Sequence, residues 1–340
     1  MATTRNPLRP FSFLLFFLAL AAIAHGERQS PAAGTPAPSQ VSPAQEVASG
    51  TKQPQGSGDV QTQMRGVNFR IDPQLVLEVR HLRGALQPTQ EGKPPWFDDP
   101  NSFALKIDAA EIAMTPASLA AMMNHFLFAG PDAPVKNVAI EIRDGHLVQT
   151  STLRKKVPIR ATLIGDISAT PEGDLRLHTT RISAGKVPVK GLLDLFGVEL
   201  SDVIKSQESK GLKVVQDDFI LDPEKLLPPP RMRGKVTAAR IVGDRVVLTF
   251  GGGANEHPLK PSFPKAKNYM YMSGGILSFG KLTMPGADLQ IIDAYPKDPF
   301  DFFLSQYAKQ LVAGYSRTLP NKGLVVYMPD SDKVGKRLKP

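Results

Sequence analysis

The sequence of 340 residues contains no cysteine and only one tryptophan. The absence of cysteine excludes a disulfide-stapled scaffold, thiol catalysis, iron–sulfur clusters and every cysteine-ligated zinc site. Acidic residues are the minority charge, with 32 Asp and Glu against 41 Lys and Arg, which gives a net charge of +9. The hydrophobic fraction of 41% suffices for a buried core, so a wholly disordered chain is excluded.

Motifs of known catalytic chemistry are absent as well. The sequence has no Gly-x-Ser-x-Gly, and its six histidines form neither His-x-His nor His-Glu-x-x-His. Ser-x-x-Lys occurs without the Ser-Asp-Asn or Lys-Thr-Gly motifs that accompany it in serine hydrolases. Three occurrences lie in the predicted domain: Ser183 with Lys186, Ser262 with Lys265, and Ser278 with Lys281. We therefore expect a non-enzymatic protein with no metal and no cofactor, and keep a Ser–Lys hydrolase as a weaker alternative.

The first residues have the pattern of an export signal. Two arginines precede an apolar run from Phe11 to Ile23, and residues 22–24 are suited to signal-peptidase cleavage. The run has 13 residues, whereas a membrane-spanning helix needs about 20, so residues 1–24 predict a cleaved signal peptide. An exported chain without cysteine or an Asn-x-Ser/Thr site is typical of the bacterial periplasm or cell envelope, with an extracellular location as the alternative.

Composition divides the remaining chain into three parts. Residues 25–63 are rich in Pro, Ala, Ser and Gln and predict a disordered tether, because they cannot bury enough apolar surface to offset the entropy of ordering. Residues 64–328 predict one elongated α+β domain, with room for a sub-boundary near 251–267. Residues 329–340 carry four Lys and Arg residues and predict a basic tail.

Alternation of apolar and polar residues dominates the predicted domain and indicates strands. It is clear at 75–80, 103–107 and 138–142, and Asp144-Gly145 then gives a strong hairpin signal. Further strands are predicted at 157–167, 175–183, 213–221, 234–242, 245–250, 269–284, 289–293 and 324–328. Tight turns between successive strands indicate a mainly antiparallel sheet.

Three amphipathic helices are predicted among these strands. The first begins with Thr115 as N-cap and Pro116 at the first helical position, the second spans about 188–205 and the third about 299–314. A short fourth turn begins at Asp222. The predicted fold class is α+β, a long curved antiparallel sheet with two to three amphipathic helices packed on its concave face.

The first two helices carry apolar stripes. Such a stripe is ordinary core, or it lines a groove in which acyl chains replace part of the packing. The candidates for the groove are Leu119, Met122, Met123, Phe126, Leu192, Leu193, Phe196 and Leu200.

Basic residues are clustered in the predicted domain. In an exported protein such clusters favour an anionic lipid or membrane surface over nucleic acid, or they form a solvated face that keeps the protein soluble. The candidates for contact with headgroups are Arg154, Lys155, Lys156, Arg160, Arg231, Arg233 and Lys235.

Two segments enter the first two helices, Ile112-Ala-Met-Thr-Pro-Ala-Ser-Leu119 and Val187-Pro-Val-Lys-Gly-Leu-Leu193. With the hairpins between them, the chain resembles the tubular lipid-binding (BPI-like) architecture of exported bacterial phospholipid-binding proteins over residues 67–250. The resemblance implies a curved sheet wrapped on helices and an apolar lipid groove. The chain departs from that architecture in its shorter helices and in an additional C-terminal strand–helix–strand unit.

The function expected from these features is binding or shuttling of lipid in an apolar groove of an exported envelope protein. The alternative is a structural or scaffolding envelope module with a fully packed core.

Overall fold

Strands dominate the computed structural model, which describes residues 58–154, 157–191, 206–252, 258–335 and 338. In these residues the strands form two sheets within a single compact unit. The strand β1 begins at Val60, so regular structure starts before residue 64.

The first sheet has eleven strands among the described residues and is mainly antiparallel. Its strands are β1 (Val60–Arg70), β2 (Val76–Pro88), β3 (Phe103–Met114), β11 (Arg231–Arg233), β12 (Val236–Val242), β13 (Arg245–Phe250), β14 (Tyr269–Phe279), β15 (Leu282–Asp293), β16 (Phe300–Phe303), β17 (Tyr315–Thr318) and β18 (Leu324–Met328). They follow the order β12-β13-β3-β2-β1-β14-β15-β18-β17. Three pairings are parallel: β11 with β3, β16 with β1, and β18 with β15.

The second sheet has seven strands among the described residues, and every pairing in it is antiparallel. Its strands are β4 (Val135–Arg143), β5 (His146–Leu153), β6 (Ile159–Ala169), β7 (Leu175–Ala184), β8 (Val187–Val189), β9 (Leu212–Val215) and β10 (Asp218–Leu221). They follow the order β4-β5-β6-β7-β10-β9, with β8 added beside β7.

Helices are short in the described residues. The α-helices are α1 (Pro116–Met122), α2 (Pro223–Leu226) and α3 (Tyr307–Ala313), and a π-helical turn (Met123–Leu127) continues α1. Four 3₁₀ turns lie at Pro100–Ser102, Ser206–Lys210, Leu304–Gln306 and Ser331–Lys333. The content is broadly α+β with strands in the majority, as the sequence predicts.

Several predicted elements are confirmed. Asp144 and Gly145 both have positive φ, 52° and 78°, and join β4 to β5 in the two-residue hairpin expected for Asp-Gly. The Thr115 hydroxyl accepts a hydrogen bond from the Ser118 amide at 2.9 Å and caps α1. Asp222 caps α2 through the Glu224 amide at 3.0 Å.

Other predicted elements are wrong in their bounds. The ranges 213–221 and 269–284 each contain a turn, so each contributes to two strands of a hairpin instead of one strand. The beginning of the predicted helix at 299–314 is β16, which pairs with β1. The predicted helix at 188–205 overlaps β8 at its start, and residues 192–205 lie outside the described residues.

Aromatic side chains fill the core beneath the first sheet. Phe97 contacts the rings of Phe103, Phe279, Phe302 and Tyr307 with centroid distances of 5.4 to 6.2 Å. Phe302 and Phe279 are almost fully buried, and the Tyr307 hydroxyl accepts a hydrogen bond from the Gly280 amide at 2.9 Å. This cluster packs α3 against β3, β14 and β16 of the first sheet.

Candidate functional site

An apolar cavity lies between α1 and one face of the second sheet. Its volume is about 80 Å³, and it is partly open to solvent. The described residues that line it are Leu119, Met122, Met123, Leu127, Phe128, Val135, Ile140, Leu147, Gln149, Ser151, Leu153, Leu163, Ile164, Gly165, Ile167, Leu175, Leu177, Thr179, Leu212, Phe219 and Leu221. None of these side chains is titratable, so the cavity carries no charge of its own.

The helix α1 forms one wall of this cavity and also faces the first sheet. Leu119 and Met122 line the cavity and, on the other side, a smaller apolar space of about 40 Å³ against Leu77 and Ile112 of the first sheet. Ser118 anchors the helix, because its hydroxyl accepts a hydrogen bond from the Val76 amide at 3.2 Å. The helix therefore lies between the two sheets.

A bulge in β4 fixes this wall to the second sheet. The register between β4 and β5 shifts between Lys136 and Ala139, and Asn137 has a positive φ of 54°. The Asn124 side chain binds both backbone polar groups of Val138, donating to its carbonyl at 2.7 Å and accepting from its amide at 2.9 Å. The two hydrogen bonds hold the π-helical turn on the edge of the sheet.

A second bulge, between β6 and β7, shapes the facing wall. The register shifts at Ile164 and Gly165, where Gly165 pairs with Thr179 and Ile164 with Arg181. A Cβ atom on Gly165 would lie 2.3 Å from the His178 carbonyl oxygen, so only glycine fits this close approach. The bulge changes which residues of β7 face the cavity. Before it, every second residue (Leu175, Leu177 and Thr179) faces the cavity. After it, the next buried residue is Ile182, three positions further along, so the alternation is shifted by one residue.

Three polar side chains enter the cavity wall. Gln149, Ser151 and Thr179 are 8%, 3% and 7% exposed. The hydroxyl oxygens of Ser151 and Thr179 have no hydrogen-bond partner in the part of the chain that the structure describes. They are therefore exceptions to the rule that buried polar groups are paired.

A more polar space adjoins the cavity. It measures about 290 Å³, shares Leu127 and Phe128 with the cavity, and is lined further by residues 129–134 with Gln207 and Lys210. The Lys210 ammonium donates a hydrogen bond to the Leu127 carbonyl at 3.1 Å. The two spaces thus share part of their walls, and the second, here called the polar rim of the cavity, carries backbone carbonyls and a cation.

Arg154 contacts the loop that lines this rim. Its guanidinium binds the Asp132 carboxylate at 2.6 Å, and this hydrogen bond lowers the pKa of Asp132 below its ordinary value. Both side chains are exposed, so water screens the pair and its contribution to stability is small. Of the described basic residues selected from the sequence, Arg154 is the one placed beside the cavity rim.

The other described basic candidates lie elsewhere. Arg160 is exposed at the start of β6. Arg231 and Arg233 flank the buried Met232 on β11, where their guanidinium groups bind the Glu224 carbonyl and carboxylate of α2 at 3.2 and 2.8 Å. Lys235 is exposed beside Gly173. Since β11 belongs to the first sheet, the basic residues form separate groups.

The apolar candidates are divided in a similar way. Leu119, Met122 and Met123 line the cavity, whereas Phe126 is half-buried outside its lining and contacts the His125 ring. The wider π-helical turn rotates the chain after Met123, so Leu127 and Phe128 face the cavity in place of Phe126. Leu192, Leu193, Phe196, Leu200, Lys155 and Lys156 lie outside the described residues.

The strands supply most of the cavity wall, and the sequence pattern does not select them as site residues. The signal is present in β5, where Leu147, Gln149, Ser151 and Leu153 share one face of the strand. Two polar residues on an otherwise apolar face mark that face as unusual. Thr179 has no equivalent signal, because its direction depends on the bulge.

The Ser–Lys pairs lie away from the cavity. None of their six residues is among its described lining residues. The Ser278 hydroxyl lies 3.0 Å from the Thr283 hydroxyl, on the exposed face of the β14–β15 hairpin.

In the described part of the chain, no helix has both the length and the apolar character needed to cross a membrane. A comparison of the chain with known protein families, curated proteins and solved structures finds no match.

Proposed function

We propose that the protein binds a lipid, or shuttles it, in the cavity between α1 and the second sheet, without catalysing a reaction. The observation that carries this proposal is the apolar cavity beside α1, whose walls are leucine, isoleucine, valine, methionine and phenylalanine. Ligand pockets in proteins are lined predominantly by such apolar side chains, with a few polar groups among them. The cavity of about 80 Å³ holds only part of a lipid, so the rest of the ligand extends through its open side.

The polar rim supports an amphiphilic ligand over a purely apolar one. The rim shares Leu127 and Phe128 with the cavity and places Lys210 and Arg154 near its entrance. A lipid whose chains occupy the apolar space has its headgroup at such a rim. In this proposal the second sheet and α1 correspond to the curved sheet and the helix of the tubular lipid-binding architecture.

One end of the second sheet supports contact with an anionic membrane. Val157 lies just before β6 and Val187 begins β8, and they are 72% and 65% exposed. A hydrogen bond from the Gly185 amide to the Arg160 carbonyl at 2.7 Å joins the two segments. Arg160 and Lys186 are exposed beside them. Exposed valines flanked by cations fit a surface of acyl chains beneath anionic headgroups, to which each cation contributes about 1 kcal/mol.

A scaffolding module is the alternative, and it requires a fully packed interior. Protein interiors are close-packed, with few voids larger than a water molecule. The unfilled space beside α1 favours the lipid-binding function over this alternative.

The proposal is tested with protein purified from its native envelope and with a fluorescent phospholipid. We expect native mass spectrometry to detect co-purifying lipid, and the delipidated protein to take up the fluorescent lipid. The variant Met123→Trp fills the cavity beside α1, so uptake should fall about tenfold. Phe126→Trp is the matched control, because Phe126 lies three residues further along the same segment and outside the cavity lining.

The outcomes separate the two functions. Loss of uptake in Met123→Trp with normal uptake in Phe126→Trp supports the cavity as the lipid site. Absence of co-purifying lipid together with no uptake by the wild-type protein favours the scaffold.

A further inference from the structure

The cavity contains two buried hydroxyl groups that lack partners. The Ser151 and Thr179 side chains are 3% and 7% exposed, and their oxygens form no hydrogen bond within the described residues. Leaving a buried hydroxyl unpaired is destabilising, so each such group calls for an explanation in a missing ligand or water. Both residues belong to the cavity lining, but the two oxygens themselves are almost inaccessible, so a ligand in the cavity reaches them after the side chains rotate.

The two hydroxyls define two separate polar positions. Ser151 is opposite Ala161 and Thr179 is opposite Gly165, so they lie on the strands either side of β6. Strands are about 4.8 Å apart, which separates positions on β5 and β7 by about 10 Å or more. Gln149 lies two residues before Ser151 on the same face and adds an amide to the first position.

Water is the weaker explanation at Thr179. A buried water needs two to four polar partners, and Thr179 is the only polar side chain of β7 among the described lining residues. Its backbone amide is already used, because it donates to the Asp217 carbonyl at 2.9 Å. A ligand that brings its own oxygen satisfies this hydroxyl without further protein groups.

We propose that the cavity selects lipids that carry oxygen within their apolar part, as an acyl ester carbonyl or as a hydroxyl on the chain. The proposal rests on the proposed function, since it names the class of lipid for the same cavity. A carbonyl accepts a hydrogen bond from Ser151 or Thr179, and a chain hydroxyl donates or accepts one. Plain hydrocarbon chains leave both protein hydroxyls unpaired.

Two pairs of probes distinguish the two sources of oxygen. Diacyl phosphatidylglycerol is compared with its dialkyl ether analogue, which lacks the carbonyls, and 3-hydroxypalmitate is compared with palmitate. We expect the wild-type protein to bind the oxygen-bearing member of at least one pair about three- to tenfold more tightly, as one net hydrogen bond predicts. The pair that shows the difference identifies the source.

Variants in the two hydroxyls test the role of the cavity positions. Thr179→Val and Ser151→Ala should reduce the preference while leaving the binding of the ether lipid or of palmitate unchanged. The lipid-free Thr179→Val protein should melt about 2–4 °C higher, because it no longer buries an unpaired hydroxyl. A structural hydroxyl predicts the opposite shift in melting temperature.

Thr62→Val is the matched control. The Thr62 hydroxyl is also buried and unpartnered, but it belongs to β1 of the first sheet and is not a lining residue of the cavity. Its removal should raise the melting temperature and leave the lipid preference intact. Equal affinity for both members of each pair, or a preference that survives Thr179→Val and Ser151→Ala together, overturns this proposal alone. Failure to bind any of the four probes overturns the proposed function as well.

Discussion

Buried polar side chains in this protein are generally well satisfied. Gln310 is fully buried, and its amide accepts from the Phe303 amide at 2.9 Å and donates to the Asp301 and Pro329 carbonyls at 2.8 and 2.9 Å. Ser151 and Thr179 have none of these bonds. Because the same chain pairs a buried group as demanding as Gln310, the unpaired hydroxyls are exceptions, and two of them, Ser151 and Thr179, lie in the cavity wall.

Asp293 is a buried carboxyl group on the first sheet. It is 3% exposed, and burial raises the pKa of Asp293 above its ordinary value of 3.8. Hydrogen bonds from the Asn268 side chain at 2.8 Å and the Tyr295 amide at 2.7 Å oppose this shift but do not cancel it. The folded protein therefore binds a proton more tightly at Asp293 than the unfolded chain does.

This difference predicts a pH dependence of stability. Between the unfolded and the folded pKa of Asp293, the folded state holds more protons, so the free energy of unfolding falls as the pH rises from about 4. Asp293→Asn should remove that part of the fall, as measured by urea denaturation between pH 4 and 7. The exposed Asp332 provides the control variant Asp332→Asn. An unchanged pH profile in Asp293→Asn contradicts the prediction.

At the scale of the element, α1 is capped by Thr115 at its start, and its side chains form one wall of the cavity. Thr115→Ala removes the cap and should lower the free energy of unfolding by about 1 kcal/mol. Loosening α1 should also weaken lipid uptake, because Leu119 and Met122 line the cavity. Thr115→Ser retains the hydroxyl and should restore both quantities. Equal losses in Thr115→Ala and Thr115→Ser would show that the methyl group, not the cap, is responsible.

Local signals predict the elements that depend on local bonds. The start of α1 and the Asp144-Gly145 hairpin follow from capping and turn chemistry, and both are confirmed. In contrast, residues 300–303 are three phenylalanines and one aspartate, a pattern that fits a helix as well as a strand. Their strand conformation depends on pairing with β1, more than 200 residues earlier, and such a distant partner leaves no local signal.

The candidate site shows the same division. Leu119, Met122 and Met123 follow from the amphipathic pattern of the helix, whereas the π-helical turn exchanges Phe126 for Leu127 and Phe128. The bulges at Val138 and Gly165 determine which strand residues face the cavity. A one-residue bulge reverses the alternation of a strand, and it is set by contacts with neighbouring strands.

At the scale of the whole molecule, one end of the second sheet is the expected contact with membranes. Val157→Ser combined with Val187→Ser should reduce co-sedimentation with vesicles that contain anionic lipid by at least severalfold, since both side chains are exposed beside Arg160 and Lys186. Vesicles of zwitterionic lipid should bind more weakly than anionic ones. The control pair Val215→Ser and Val312→Ser alters exposed valines on β9 and α3. Equal loss in both double variants contradicts a specific docking end.

The two sheets also differ in how the chain supplies them. The second sheet uses strands between Val135 and Leu221, whereas the first takes strands from before and after this segment. Gln63 on β1 and Tyr269 on β14 are 206 residues apart and still share a side-chain hydrogen bond. Such long separations slow folding, because loop-closure entropy is lost before the contacts form. Until β14 and β16 have paired with β1 during folding, the unpaired edge of β1 can pair with another chain. A chaperone that covers this edge would therefore raise the yield of folded protein.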